Sequence, residues 1–250
     1  MEVSFLRQSG WVTPEMLDET VVIIGCGAVG SWIAMTAARM GFTKFLLFDA
    51  DAVEAHNVSN QAYDVEHIGQ DKATALSSVL TRFNPLVQVE ARVEFFTAET
   101  ELEDLSACII ATDTMSSRKS IGAAVEDNPF VSRCFEVRLG WDYGMVSVFD
   151  SNDESEYSNW FNTLGNDEDI EDGPCNLRMC VDLAMFSAIS VVHQLCAMYV
   201  TEAQEANWNY APQTHIMFKE GGFPVTVPMM KDGSVYGEEA IDEPDEQIQF

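Results

Sequence analysis

Gly25, Gly27 and Gly30 have the clearest chemical purpose, standing in the order Gly25-Cys26-Gly27-Ala28-Val29-Gly30. A Gly-x-Gly-x-x-Gly run suits a phosphate site for three separate reasons. The first glycine permits a tight turn, the second lets a phosphate approach the backbone, and the third lets a helix pack closely on a strand. The N–H groups at the start of the following helix point at one place and favour an anion there. Asp49 then falls close to the roughly 20-residue spacing at which an acid meets a ribose hydroxyl. Glycines for phosphate and an acid for ribose together indicate a nucleotide.

Those residues need a strand–helix–strand unit to hold them. Val21-Val22-Ile23-Ile24 is a run of four β-branched residues, too short for a helix, and reads as a buried strand entering the glycines. A helix is expected over about 31–40, then a second strand, Lys44-Phe45-Leu46-Leu47-Phe48, delivers Asp49. Residues 51–69 are polar and turn-forming, and should cross the C-terminal edge of the sheet, where open α/β sheets bind ligands. The spacing of Ala75, Leu76, Val79 and Leu80 predicts a helix over 72–83, stopped by Asn84-Pro85.

Further strands are expected at 87–93 and 107–111, the latter ending in Thr112-Asp113, with a helix over 116–126. Strands at 130–138 and 145–149 have Gly140 and Gly144 between them, and 215–218 and 223–227 read as closing strands. The acidic stretch 150–174 is expected to be a long loop, and 179–199 a helix whose Ala184, Ala188, Val191, Val192 and Leu195 face the core. Upstream, 13–17 reads as a capped helical turn with Pro14 at its first position.

With 250 residues, 47% of them apolar, the chain can fill one large domain or a domain with a small appendage. Its start carries no basic region followed by an apolar one, and its longest apolar run falls short of a membrane span. A soluble, cytoplasmic protein without a signal peptide is the expectation. Six scattered cysteines fit reduced thiols. The net charge of -28 would repel nucleic acid and anionic membrane, so neither is expected as a partner. Acids gather at 150–172, which contains no Lys or Arg, and again at 238–246. Such blocks serve solubility or dock a basic partner.

Downstream of Asp49 the spacing becomes specific. The chain reads Phe48-Asp49-Ala50-Asp51-Ala52-Val53, then Asn57-Val58-Ser59-Asn60-Gln61, then Ile68-Gly69-Gln70-Asp71-Lys72-Ala73, with Thr112-Asp113 and Arg118 later. With the glycines, this series resembles the ThiF/MoeB/HesA family, bacterial relatives of ubiquitin-activating enzymes, over about residues 5–200. The family pattern is G-x-G-x-x-G, D-x-D-x-V, N-x-x-R-Q, G-x-x-K-A and a later Asp before a helix.

The resemblance implies an α/β fold, a Rossmann-like, mostly parallel sheet with an antiparallel C-terminal extension. It implies one adenylation domain over 1–231, with an acidic crossover loop at about 150–174 and a flexible acidic tail at 232–250. The implied activity is that of an ATP-dependent adenylyltransferase. It would join the C-terminal carboxylate of a ubiquitin-like carrier protein or peptide to AMP, releasing pyrophosphate. ATP and magnesium are the implied cofactors, and alignment with electrostatic stabilisation should carry most of the rate. The resemblance gives Lys72 the phosphates and Asp113 the magnesium, as a hard oxygen ligand. It gives Asp49 the ribose, with Asp51 beside it, and has Asn57 and Gln61 bond phosphates or orient neighbours. Arg7 resembles an arginine that reaches into a partner's site, which implies a homodimer.

Each residue also has a plainer role available. Asp49 and Asp51 could end a strand, Lys72 could be solvated, Asp113 could cap a helix, and Arg118 suits a structural ion pair. Three points separate this chain from the family pattern or add to it. Asn60 stands where the family has Arg, which removes a cation that Asn cannot replace. Cys175 and Cys180 form no C-x-x-C pair, so no zinc site is expected. Cys175 precedes the long helix and is a candidate nucleophile, whereas Cys26, Cys108 and Cys196 lie in apolar elements and should be inert. Two alternatives stay open, a non-catalytic partner of a carrier or active subunit, and a nicotinamide-dependent (NAD) oxidoreductase.

Overall fold

The computed structural model describes residues 4–8, 18–97, 99–100, 105–126, 128–140, 143–169, 181–204, 213–218 and 224–229. The expected turn at 13–17, Cys175 with Cys180, and the tail at 232–250 lie outside the described residues.

Alternation along one strand organises the molecule. Strand β1 (Thr20–Ile24) sends Val21 and Ile23 to one face of the sheet and Val22 and Ile24 to the other, and all four are buried. β-Branched residues buried on both faces are what a central parallel strand requires. On the first face lie α1 (Ala28–Met40), α2 (Lys72–Phe83) and α5 (Val181–Gln204). On the second lie α3 (Met115–Val125) and α4 (Glu154–Phe161). The result is a three-layer α/β/α stack.

The remaining strands are β2 (Lys44–Phe48), β3 (Gln88–Arg92), β4 (Leu105–Ile110), β5 (Val131–Leu139), β6 (Tyr143–Phe149), β7 (Gln213–Phe218) and β8 (Pro224–Met229). Their spatial order is β3-β2-β1-β4-β5-β6-β7-β8. The pairs from β3 through β5 are parallel, and those from β5 through β8 are antiparallel. The sheet is therefore mostly parallel at one end, with the expected antiparallel C-terminal extension. Chain order reverses between β1 and β4, and the crevice outside the carboxyl ends of strands at such a point is where open sheets take ligands.

α5 is long and apolar enough, by length and composition over Val181–Tyr199, to cross a membrane. Here its Leu183, Ala184, Ala188, Val191, Val192 and Leu195 are buried, and they join the residues of α1 in one core. The acidic stretch is a correction. Instead of one structureless loop it contains α4 and a short turn of 3-10 helix at Asp167–Asp169. Asp153 caps α4 by accepting N–H bonds from Ser155 and Glu156, and Tyr157 and Trp160 are buried. Tyr157, Trp160, Phe161 and Leu164 recur at helical spacing; the surrounding acids hid that stripe.

Candidate nucleotide site

Two of the three glycines are required by their backbone surroundings, and the third borders open space. Gly25 has a left-handed φ of +95°, and a Cβ there would lie 2.6 Å from the carbonyl oxygen of Ala111, just past β4. A Cβ on Gly30 would lie 1.9 Å from the oxygen of Gly25, so only glycine lets the first turn of α1 sit this close to β1. Around Gly27 a Cβ would meet nothing within 4 Å. Gly27 caps α1 without a side-chain bond, and the N–H groups of that first turn lack carbonyl partners within the helix. α1 starts at Ala28, three residues earlier than expected, which places Gly30 inside the helix.

Asp49 follows β2 and reaches back to the glycine loop. Its Oδ2 accepts the N–H of Cys26 at 2.8 Å, and its Oδ1 accepts the N–H of Asp51 at 2.8 Å. Burial pushes its carboxyl above its ordinary value, although the Asp51 amide, the Lys72 charge and the Cys26 amide all oppose this. Each oxygen keeps lone-pair capacity for a further donor. The Lys72 ammonium lies 2.8 Å from Asp51 Oδ2 at the start of α2, with its side chain only 11% exposed. Asp49, Asp51, Lys72 and the glycine loop are thus gathered at the carboxyl end of β1 and β2.

Across the crevice, Thr112 and Asp113 follow β4. Thr114, not Asp113, caps α3, accepting the N–H of Ser117. Asp113 is left exposed, free of a capping role and chemically suited to a hard cation. Arg118 behaves as the expected structural residue. It is buried, its Nε lies 2.8 Å from Glu136 Oε1, and its Nη2 donates to the carbonyl of Thr112 at 2.5 Å. Burial pulls its guanidinium below its ordinary value, with Glu136 opposing.

The segment after β2 packs over α1. Ser31 Oγ accepts the N–H of Ala62 at 3.0 Å, and the Trp32 indole donates to the carbonyl of Asn60 at 3.0 Å. Asn57 orients neighbours here, its Oδ1 accepting the N–H of Glu54 at 2.8 Å to close a capping box. Asn60 Oδ1, Gln61 Oε1 and Thr112 Oγ1 are buried with no hydrogen-bond partner among the described residues. The open backbone at Gly27, the Asp49 carboxylate and the Lys72 ammonium supply the phosphate cradle, ribose acceptor and cation that a nucleotide requires, so the residues present fit one.

Arg7 lies exposed on a short turn of 3-10 helix, Leu6–Gln8. Cys26, Cys108 and Cys196 are buried, as expected. Burial raises the Cys26 thiol well above its ordinary value and pushes Cys196 up to about 12. Asp64, Glu66 and His67 converge closely enough to suggest a metal, but Arg82 bridges both carboxylates and His67 Nδ1 accepts the N–H of Asp64. That cluster is an ion-pair knot.

Sequence reading missed Tyr63 and Glu136. Tyr63 is buried and its hydroxyl donates to the carbonyls of Cys26 at 2.7 Å and Lys72 at 3.2 Å, tying the glycine loop to α2. Nothing local marks it, because its partners are 37 and 9 residues away in the chain. Glu136 is wholly buried in β5; its one sequence signal is an acid lying between Arg133 and Arg138 in a strand.

A model of the ThiF family matches residues 12–214. The chain is 38% identical over 76 residues to ubiquitin-like modifier-activating enzyme 5 of Caenorhabditis briggsae, covering 30% of this chain and 18% of that protein. It is 36% identical over 84 residues to tRNA threonylcarbamoyladenosine dehydratase of Bacillus subtilis, covering 33% of each. The chain thus spans a third or less of the length of these relatives. Among solved structures, E. coli MccB with AMPCPP and MccA shares the fold with a TM-score of 0.62 at 13% identity, over 90% of this chain and 66% of that one.

Proposed function

The chain belongs to the ThiF family, and on that premise we propose that it is an ATP-dependent adenylyltransferase acting on the C-terminal carboxylate of a ubiquitin-like carrier or peptide. One observation carries the reading. Among the three loop glycines only Gly27 faces open space, so the backbone is bare where phosphates would meet the start of α1. The AMPCPP in the MccB structure supports ATP as the nucleotide.

In the reaction a carboxylate oxygen bonds to the α-phosphorus while the bond to the bridging oxygen breaks, releasing pyrophosphate. Asp49 would accept the ribose hydroxyls on the lone pairs its two amide bonds leave free. Lys72 would turn from Asp51 to the phosphates, a small change for a flexible ammonium stem. Asp113 would hold magnesium, which supplies charge neutralisation at the phosphates when bound. Arg7 would act in the second subunit of a homodimer in the cytoplasm. Asn60 favours a second reading, a nucleotide- or carrier-binding subunit without catalysis, because the family's phosphate-side arginine is absent.

Melting the purified protein with ATP, ADP, GTP or NAD, with and without magnesium, tests the nucleotide. Ligand at a hundred times its Kd adds about 2.7 kcal/mol. Magnesium-dependent stabilisation by ATP, lost in Lys72→Ala and Asp113→Ala, is expected. Pyrophosphate exchange with a carrier separates the enzyme from the silent subunit. A response to NAD alone would overturn both.

A further inference from the structure

Glu136 is an acidic residue, wholly buried, and placed on a strand whose packing would be served by an apolar side chain. Replacing a buried ionic cluster by apolar residues is often neutral or stabilising, so packing alone does not explain it. Its partners do. One carboxylate oxygen faces Arg118 Nε at 2.8 Å, and both oxygens accept Arg138 Nε at 2.9 Å. The Trp160 indole adds a bond to Oε2 at 3.3 Å.

The two guanidinium groups then reach in opposite directions. Arg118 donates to the carbonyls of Thr112 at 2.5 Å, Asp113 at 3.4 Å and Val137 at 3.3 Å. Arg138 donates to Thr163, at 3.0 Å to its carbonyl and 2.7 Å to its hydroxyl. Beyond Thr163, Asp167 accepts the N–H groups of Met115 and Ser116. The acidic segment is therefore fastened at one end to Glu136 and at the other to α3, on either side of the Thr112–Asp113 turn.

We propose that Glu136 is a positioning residue, which through Arg118 sets the turn that presents the Asp113 carboxylate to the magnesium of bound nucleotide, and through Arg138 ties that turn to the acidic segment. Glu136 touches neither nucleotide nor cation. A neutral residue at 136 would leave Arg118 without its anchor, and the two carbonyls at the crevice would lose their fixed donor. This rests on the adenylation reading, in which Asp113 is the magnesium ligand.

The test is ATP affinity by calorimetry, in magnesium and in EDTA, on the full chain and on Glu136→Gln. Asp113→Asn serves as the reference for a lost ligand. In the unsubstituted protein magnesium should tighten ATP by about 10-fold or more. Glu136→Gln should keep its EDTA affinity within about twofold while most of the magnesium enhancement disappears, matching Asp113→Asn. Should Glu136→Gln not fold, Arg118→Lys carries the test. It retains the charge facing Glu136 but cannot span three carbonyls at once, and the same split is expected. A folded variant with full magnesium enhancement overturns the proposal. So does an equal loss in magnesium and EDTA, which marks a merely structural role. Absence of ATP binding or of a magnesium effect in the unsubstituted protein fells the adenylation reading itself, and is recognised before any variant is compared.

Discussion

Asp49 and Asp167 are each held by two backbone N–H groups, at 2.8 Å from Cys26 and from Asp51 for the first, and at 2.5 and 3.2 Å from Met115 and Ser116 for the second. Their acidities nonetheless move in opposite directions. Bonds to Ser116 and Met115 pull Asp167, on the solvent side of α3, below its ordinary value. Burial lifts Asp49 above its own despite equivalent amide partners. Asp167 also takes a hydroxyl bond from Ser116, the largest pull on it, whereas at Asp49 desolvation outweighs the two amides. The two ends also differ in what surrounds them. Asp167 completes a helix end whose first N–H groups are bonded, whereas Asp49 borders the open space at Gly27. The satisfied end is built for structure. The open end is built to receive something.

Substitutions at the glycines should break this distinction most forcefully. Gly30→Ala forces a methyl group to within 1.9 Å of a backbone oxygen that cannot swing aside. A loss of about 3 kcal/mol or more is expected, roughly 6–12 °C in melting temperature for a chain of this size. Gly27→Ala meets nothing, so stability should fall by about 1 kcal/mol or less while ATP affinity falls at least about tenfold. Equal damage from both would show that the open space at Gly27 is incidental.

Next in size is Asp49→Ala. It strips the acceptor from two amides, costing about 1–3 kcal/mol of stability, and on the proposed function it removes charged hydrogen bonds to ribose worth about 1.5–3 kcal/mol of ATP binding. Calorimetry with ATP and with inorganic triphosphate separates the two effects, because triphosphate carries no ribose. Undiminished preference for ATP over triphosphate in Asp49→Ala would remove Asp49 from the ribose site.

The glycine end was legible in sequence because its logic is local. Three glycines, one strand and an acid at fixed spacing lie within 29 residues, Val21 to Asp49, and each has a backbone reason to be where it is. The acidic end resisted for the opposite reason. Its Asp167 acts on amides 51 and 52 residues away, and Glu136 draws Arg118 and Trp160 from different elements. A charged residue in a strand reads as solvent-facing until its counter-ions are placed, and the acids of 150–174 concealed the apolar face of α4 for the same reason. Asp113 stands between these cases. Its place after β4 was legible, but whether it capped α3 depended on Thr114, whose hydroxyl does so instead.

The smallest effect, and the sharpest on mechanism, is in the pH dependence of stability. Asp49 has a folded value raised above 3.8, so just above pH 3.8 the folded chain holds a proton that the unfolded chain has released. Stability at this group therefore falls as pH rises through that window. Asp167 has a folded value below 3.8, so its contribution is present above that pH and lost as pH falls through the folded value. The net charge of -28 gives the whole protein a large acid response of its own, which only subtraction of variant from wild-type curves removes. In denaturant titrations from pH 3 to 6, about the range in which carboxylates respond, the wild-type-minus-Asp49→Ala difference should decline with rising pH. The wild-type-minus-Asp167→Ala difference should rise. Two difference curves of the same sign would mean that burial does not distinguish these carboxylates, and the contrast between a capped end and a waiting site would fall with it.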